Sequence, residues 1–85
     1  MKYAVSFLPA ARREFLRLPS PIQVRLQPHI DALADNPRPH GVKKLSGRTD
    51  QYRVRVGDWR ILYAIEDRAL IVLVIRIGNR REVYR

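Results

Sequence analysis

Residues 51–63, QYRVRVGDWRILY, alternate apolar and charged side chains on either side of a Gly-Asp pair. A period of two marks a half-buried strand, and Gly-Asp between two such runs marks a two-residue hairpin loop. With Gly57 and Asp58 as the loop, Val56 faces Trp59, Arg55 faces Arg60, Val54 faces Ile61 and Arg53 faces Leu62. Facing residues lie on the same side of a sheet. Tyr52, Val54 and Val56 therefore turn to a core side with Trp59 and Tyr63, and Arg53, Arg55 and Arg60 converge on the other. Arginine directly opposite arginine costs stability, and local rules are most often broken at functional sites.

Working outward toward the C-terminus, Glu66-Asp67-Arg68 predicts a second turn. Residues 69–77, ALIVLVIRI, are apolar at nearly every position, as in a central strand covered on both faces. Gly78-Asn79 predicts another turn, followed by a last extended segment, RREVYR, in which Arg80, Glu82 and Tyr84 alternate with Arg81, Val83 and Arg85. Arg80 and Tyr84 then project together, with Val83 toward the core.

Toward the N-terminus, residues 2–8 (KYAVSFL) read as a strand that Pro9 stops. Ala11, Phe15 and Leu18 recur at helical spacing over residues 10–18, with Arg12, Arg13 and Arg17 facing water. Ser20-Pro21-Ile22-Gln23 is a helix start with serine as N-cap and glutamine closing a capping box. Ile22, Leu26, Ile30 and Leu33 continue the stripe, Pro28 is expected to bend it, and Asn36-Pro37-Arg38-Pro39 ends it. Residues 40–50, HGVKKLSGRTD, read as a polar connector carrying Lys43, Lys44 and Arg48. The order is strand, two helices, then a meander. It predicts an α+β fold in one domain spanning residues 1–85, two N-terminal helices packed on one face of a mainly antiparallel sheet of four to five strands.

Composition narrows the partner. Seventeen Lys and Arg against eight Asp and Glu give a net charge of +9, and lysine occurs only at positions 2, 43 and 44. So large an arginine excess predicts a polyanion, and nucleic acid fits better than a membrane surface because no basic amphipathic helix has a large aromatic face. There is no cysteine, hence no disulfide or thiolate site, and no His, Asp and Glu cluster has metal-ligand spacing. No glycine-rich phosphate loop or nucleophile elbow occurs. His29 and His40 read as structural or surface residues and Asp58 as a turn residue. No cofactor, metal or membrane span is expected, and a soluble cytoplasmic protein without a processed leader is.

The stretch YRVRVGDWRILY and the C-terminal IGNRREVYR resemble the RelE toxins of bacterial and archaeal toxin-antitoxin modules, within the RelE/ParE superfamily. The resemblance covers the whole chain, including NPRP and VKKLSG, and is strongest over residues 41–85. It implies two helices on an antiparallel sheet and a toxin that enters the ribosomal A site on the small subunit and cleaves the messenger RNA there. It further implies neutralisation by a RelB-like antitoxin, with operator DNA bound only in complex with that antitoxin. Matched position by position, the active residues it implies are Arg53, Arg55, Arg60, Arg80 and Tyr84, the same side chains that alternation gathers. Lys43, Lys44, Arg48, Arg81 and Arg85 are the further candidates for RNA contact. Many relatives carry lysines where Arg53 and Arg55 stand and histidine where Asn79 stands. Two other readings compete: a ParE-type poison of DNA gyrase without nuclease activity, and a basic module that acts only in complex with its antitoxin.

Overall fold

The computed structural model describes residues 2–45 and 50–79. In chain order it contains β1 (Ala4–Phe7), α1 (Pro9–Leu16), α2 (Ser20–Ala32), β2 (Lys43–Lys44), β3 (Gln51–Val56), β4 (Trp59–Glu66) and β5 (Ile71–Asn79). The strands form one five-stranded sheet in the order β1-β5-β4-β3-β2. All neighbours are antiparallel except β1, which runs parallel to β5. Both helices cover one face, where Ala11, Leu26, Ile30 and Leu33 pack with Val56, Ile61, Tyr63, Ile65, Val72, Val74 and Ile77. No helix among the described residues is long and apolar enough to cross a membrane.

The hairpin has the register that alternation predicts: Val56 pairs with Trp59, Arg55 with Arg60, Val54 with Ile61 and Arg53 with Leu62. Gly57 takes φ +61°, and Asp58 is not among the positive-φ residues, the pattern of a II′ loop whose twist suits the flanking strands. A Cβ at Gly57 would stand 2.5 Å from Nη2 of Arg25, whose side chain reaches from α2 to the hairpin tip.

Several sequence expectations are corrected. The first strand is shorter than residues 2–8, and Pro9 opens α1 rather than merely ending β1. Ser20 is not the N-cap of α2. Pro19 is, no side chain caps that end, and Gln23 turns backwards, its Nε2 donating to the carbonyls of Leu18 (2.8 Å) and Leu16 (3.3 Å). The amide thus serves the carbonyl of Leu16, the last residue of α1, and that of Leu18 in the turn beyond it, instead of closing a capping box. Pro28 lies inside α2 without ending it. Pro28 and Val24 are both exposed, so water can serve the Val24 carbonyl that the missing N–H leaves open. Within the expected connector, Lys43 and Lys44 form a short edge strand on β3. Gly78-Asn79 is not a turn: β5 continues through both, with Gly78 paired to Arg60 and Asn79 to Trp59.

β5 contains a bulge. Leu62 pairs with Arg76 but Tyr63 pairs with Val74, which leaves Ile75 as the extra residue. The consequence is a switch of face along β5: Val74 and Ile77 both turn to the core, and Arg76 and Gly78 turn to the opposite side. Ile71, Leu73 and Ile75 remain half-buried, so β5 is central in the sheet without being fully covered on its second face.

A polar clasp ties separate parts of the chain together at the other end of the sheet. Asp67, in the β4–β5 turn, accepts hydrogen bonds from the Tyr3 hydroxyl (2.6 Å) and from Nη1 and Nη2 of Arg38 (3.2 and 2.9 Å). Nε of Arg38 donates to the Tyr52 hydroxyl at 3.2 Å, and its guanidinium lies 5.3 Å from the centre of that ring. Tyr52 in turn stacks on Tyr63, whose buried hydroxyl donates to the Pro37 carbonyl at 2.7 Å. The Arg38 bonds first, then the Tyr3 bond, hold the Asp67 carboxyl below its ordinary range, and burial pushes the Tyr63 phenol up.

Candidate nucleic-acid interface

The face of the sheet opposite the helices carries the cations in two adjacent rows. One row runs Lys43, Arg53, Leu62, Arg76 across β2, β3, β4 and β5. The next runs Arg55, Arg60, Gly78. Arg60 is therefore central: Arg55 is directly opposite on one neighbouring strand and Gly78 on the other, with Arg53 and Arg76 as its diagonal neighbours. Diagonal pairs stand roughly 7–8 Å apart at the backbone, within reach of long side chains. Opposite Arg60, Gly78 contributes no side chain.

Exposure separates the roles. Arg60 is 7% exposed, the one buried charged residue among those described. Arg53 is half-buried, and Arg55 is exposed at the rim with Nε donating to the Gly57 carbonyl at 3.3 Å. Burying a guanidinium is costly unless other groups stabilise it. A guanidinium fixed in so dry a place acts on nearby charge more strongly than one in water.

Of the residues singled out in the sequence, Arg53, Arg55 and Arg60 are brought together on this face and Lys43 joins them at its edge. Lys44 does not: it pairs with Tyr52 and points to the helix side, because adjacent strand residues alternate. Arg48, Arg80, Arg81, Tyr84 and Arg85 lie outside the described residues, as does the expected last segment. Trp59 and Tyr63 are on the core side, as alternation predicts, and His29 and His40 are exposed. No group of three or more His, Asp or Glu residues among those described is arranged to hold a metal ion.

Arg76 and Glu14 were missed. Nη2 of Arg76 contacts Oε2 of Glu14 at 3.3 Å, and the other oxygen, Oε1, accepts the backbone N–H of Ile77 at 3.0 Å. β1 pairs with β5 only as far as Val74, so Glu14 from α1 covers the edge of β5 where its own neighbour stops. The available signal was a lone charge inside an otherwise apolar run, VLVIRI, next to a glycine.

Comparison with known proteins agrees with this fold. The mRNA interferase toxin RelE of Escherichia coli (strain K12) is 30% identical over 99% of this chain and 92% of its own length. RelE in the archaeal RelE–RelB complex from Pyrococcus horikoshii OT3 superposes with a TM-score of 0.83 at 26% identity, covering 96% of this chain and 99% of that one. The isolated E. coli RelE toxin superposes with a TM-score of 0.82 at 29% identity, over 96% of this chain and 90% of that one. The sequence model of the ParE toxin of type II toxin-antitoxin systems matches residues 5–84. With a match over nearly its full length and the RelE fold beneath it, this chain belongs to the RelE/ParE toxin superfamily of type II toxin-antitoxin systems.

Proposed function

We propose that this chain is a ribosome-dependent endoribonuclease that cuts messenger RNA in the A site and so arrests translation. The observation that carries the reading is Arg60, buried at 7% exposure and flanked by Arg53, Arg55 and Arg76 on one side of the sheet. In the reaction, a ribose 2′-oxygen attacks the adjacent phosphorus and the P–O5′ bond breaks. The 2′-hydroxyl proton leaves, a proton reaches the 5′-oxygen, and the products are a 2′,3′-cyclic phosphate and a 5′-hydroxyl.

Negative charge grows on the phosphoryl oxygens along this path, and guanidinium is suited to it because it stays charged and presents a planar fork to phosphate. Arg60 clamps the scissile phosphate, and Arg53 and Arg55 hold its neighbours. Tyr84 positions or deprotonates the 2′-hydroxyl and Arg80 assists the leaving 5′-oxygen, roles drawn from the sequence resemblance. Free phenol titrates near pH 10 and arginine above about 12, so proton transfer is the slow component. Orientation of the message by the ribosome compensates for it. The scheme uses side chains alone.

RelE in the P. horikoshii structure is in complex with RelB, and a cognate RelB-like antitoxin is the expected partner here. An acidic segment of such an antitoxin is complementary to the arginine face and would occlude it. The test is to add the purified chain to ribosomes carrying a defined message and map 5′ ends by primer extension. Cleavage is expected within the A-site codon, and Arg60→Ala should slow it about 100- to 1,000-fold, the usual effect of removing one donor to a transition-state anion. An intact message refutes the reading. The match to the ParE family favours one alternative, inhibition of DNA gyrase without nuclease activity. A supercoiling assay that finds trapped gyrase–DNA cleavage complexes would establish it instead.

A further inference from the structure

We propose that Arg76 is a further phosphate-binding residue of the cationic face, and that the Glu14 carboxylate is its resident anion, displaced when an RNA phosphate arrives. The proposal rests on the RNA-cleaving reading and adds to it both a residue and a gate.

Register places Arg76 on the row of Arg53 and two positions from Gly78, which faces Arg60. It owes this position to the bulge. In a regular strand Arg76 would share the side of Val74 and enter the core; the extra residue at Ile75 turns it onto the arginine face instead. A device that interrupts the ladder one residue before a lone arginine has the effect of re-aiming that arginine.

The contact with Glu14 is of the kind that exchanges. One guanidinium nitrogen reaches one carboxylate oxygen at 3.3 Å, long for a charge-assisted bond and not bidentate, and the Arg76 side chain is 42% exposed. Pairs this accessible contribute little. Glu14 has a separate reason to stay where it is, because Oε1 accepts the Ile77 N–H at 3.0 Å and closes the edge of β5. Arg76 can therefore leave without uncovering the backbone. A phosphate beside Arg60 offers the same fork of acceptors with more charge, and the guanidinium swings from carboxylate to phosphate on its flexible stem.

The experiment is a titration of the purified chain with a short single-stranded RNA methylated at every 2′-oxygen, so that it binds without being cut, followed by fluorescence anisotropy over a range of salt. Each phosphate contact contributes about 0.7 to the slope of log affinity against log salt. Arg76→Gln should lower that slope by about 0.7, and Arg76→Lys, which keeps the charge, should retain it. Glu14→Gln preserves an acceptor for Ile77 and should tighten binding about two- to fivefold. In the Arg76→Gln background that gain should vanish, because Glu14 acts through Arg76. An equal gain in both backgrounds makes Glu14 a general repulsive charge and overturns the proposal. So does an unchanged slope in Arg76→Gln when Arg60→Ala lowers it, a result that leaves the RNA-binding face standing. If Arg60→Ala also leaves the slope unchanged, the RNA reading and this proposal fall together.

Discussion

On the reading proposed above, Arg60 concentrates the conflict between stability and function in a single side chain. A guanidinium at 7% exposure with another directly opposite is a poor choice for folding alone. Removing a buried guanidinium leaves the groups that face it uncompensated, and truncating it leaves a cavity as well. Arg60→Met should therefore lower the urea midpoint less than Arg60→Ala does, and both should slow cleavage about 100- to 1,000-fold. Paired denaturation and primer-extension measurements on the two variants check this. Undiminished cleavage by folded Arg60→Met would mean that the guanidinium is chiefly a structural group. Arg60→Lys keeps the charge but loses the planar fork, so it should recover only part of the activity of the parent chain.

At the scale of elements, the hairpin sets the geometry and its tip is the sensitive point. Gly57 at φ +61° needs the left-handed region, which costs a residue with a Cβ roughly 1–2 kcal/mol, and that Cβ would also meet Arg25. Gly57→Ala should destabilise by about that amount in urea, and adding Arg25→Ala should recover little of it, because the exposed Arg25 guanidinium can move aside. Full recovery would show that the backbone pays no penalty. This hairpin was legible because strict alternation and a Gly-Asp loop leave one register in which Val54, Val56 and Trp59 all reach the core. β5 was not. ALIVLVIRI is apolar on both faces, so its pattern satisfies either register, and neither the bulge at Ile75 nor the placement of Arg76 follows from it. The continuation of β5 through Gly78 and Asn79 escaped for a related reason: glycine opposite a large buried arginine looks, in sequence, like a turn. β2 has only two residues, too few to show a period, and as an all-lysine edge it discourages pairing with another chain.

Across the whole molecule, Arg60 and Asp67 stand at opposite ends of β4, and the clasp around Asp67 joins segments far apart in sequence: Tyr3 before β1, Arg38 after α2, Tyr52 in β3 and Asp67 between β4 and β5. With a net charge of +9, the chain repels itself, and a carboxylate that gathers a guanidinium and a phenol offsets part of that repulsion. Its contribution depends on pH with a definite sign. Asp67 has a folded pKa below its unfolded value, so its stabilising effect is present above the unfolded value, about 3.9 for a free aspartate, and is lost as pH falls through the folded one. Asp67→Asn removes the charge at every pH. The difference in urea midpoint between the parent chain and Asp67→Asn should thus be constant near neutrality, shrink through the acid range below about pH 5 and vanish once Asp67 is protonated. The measurement is a series of urea titrations of both proteins from neutral to acid pH. A difference that stays constant down to the lowest pH would show that geometry and not charge makes the clasp, because asparagine keeps an acceptor for Tyr3 but has no charge to lose.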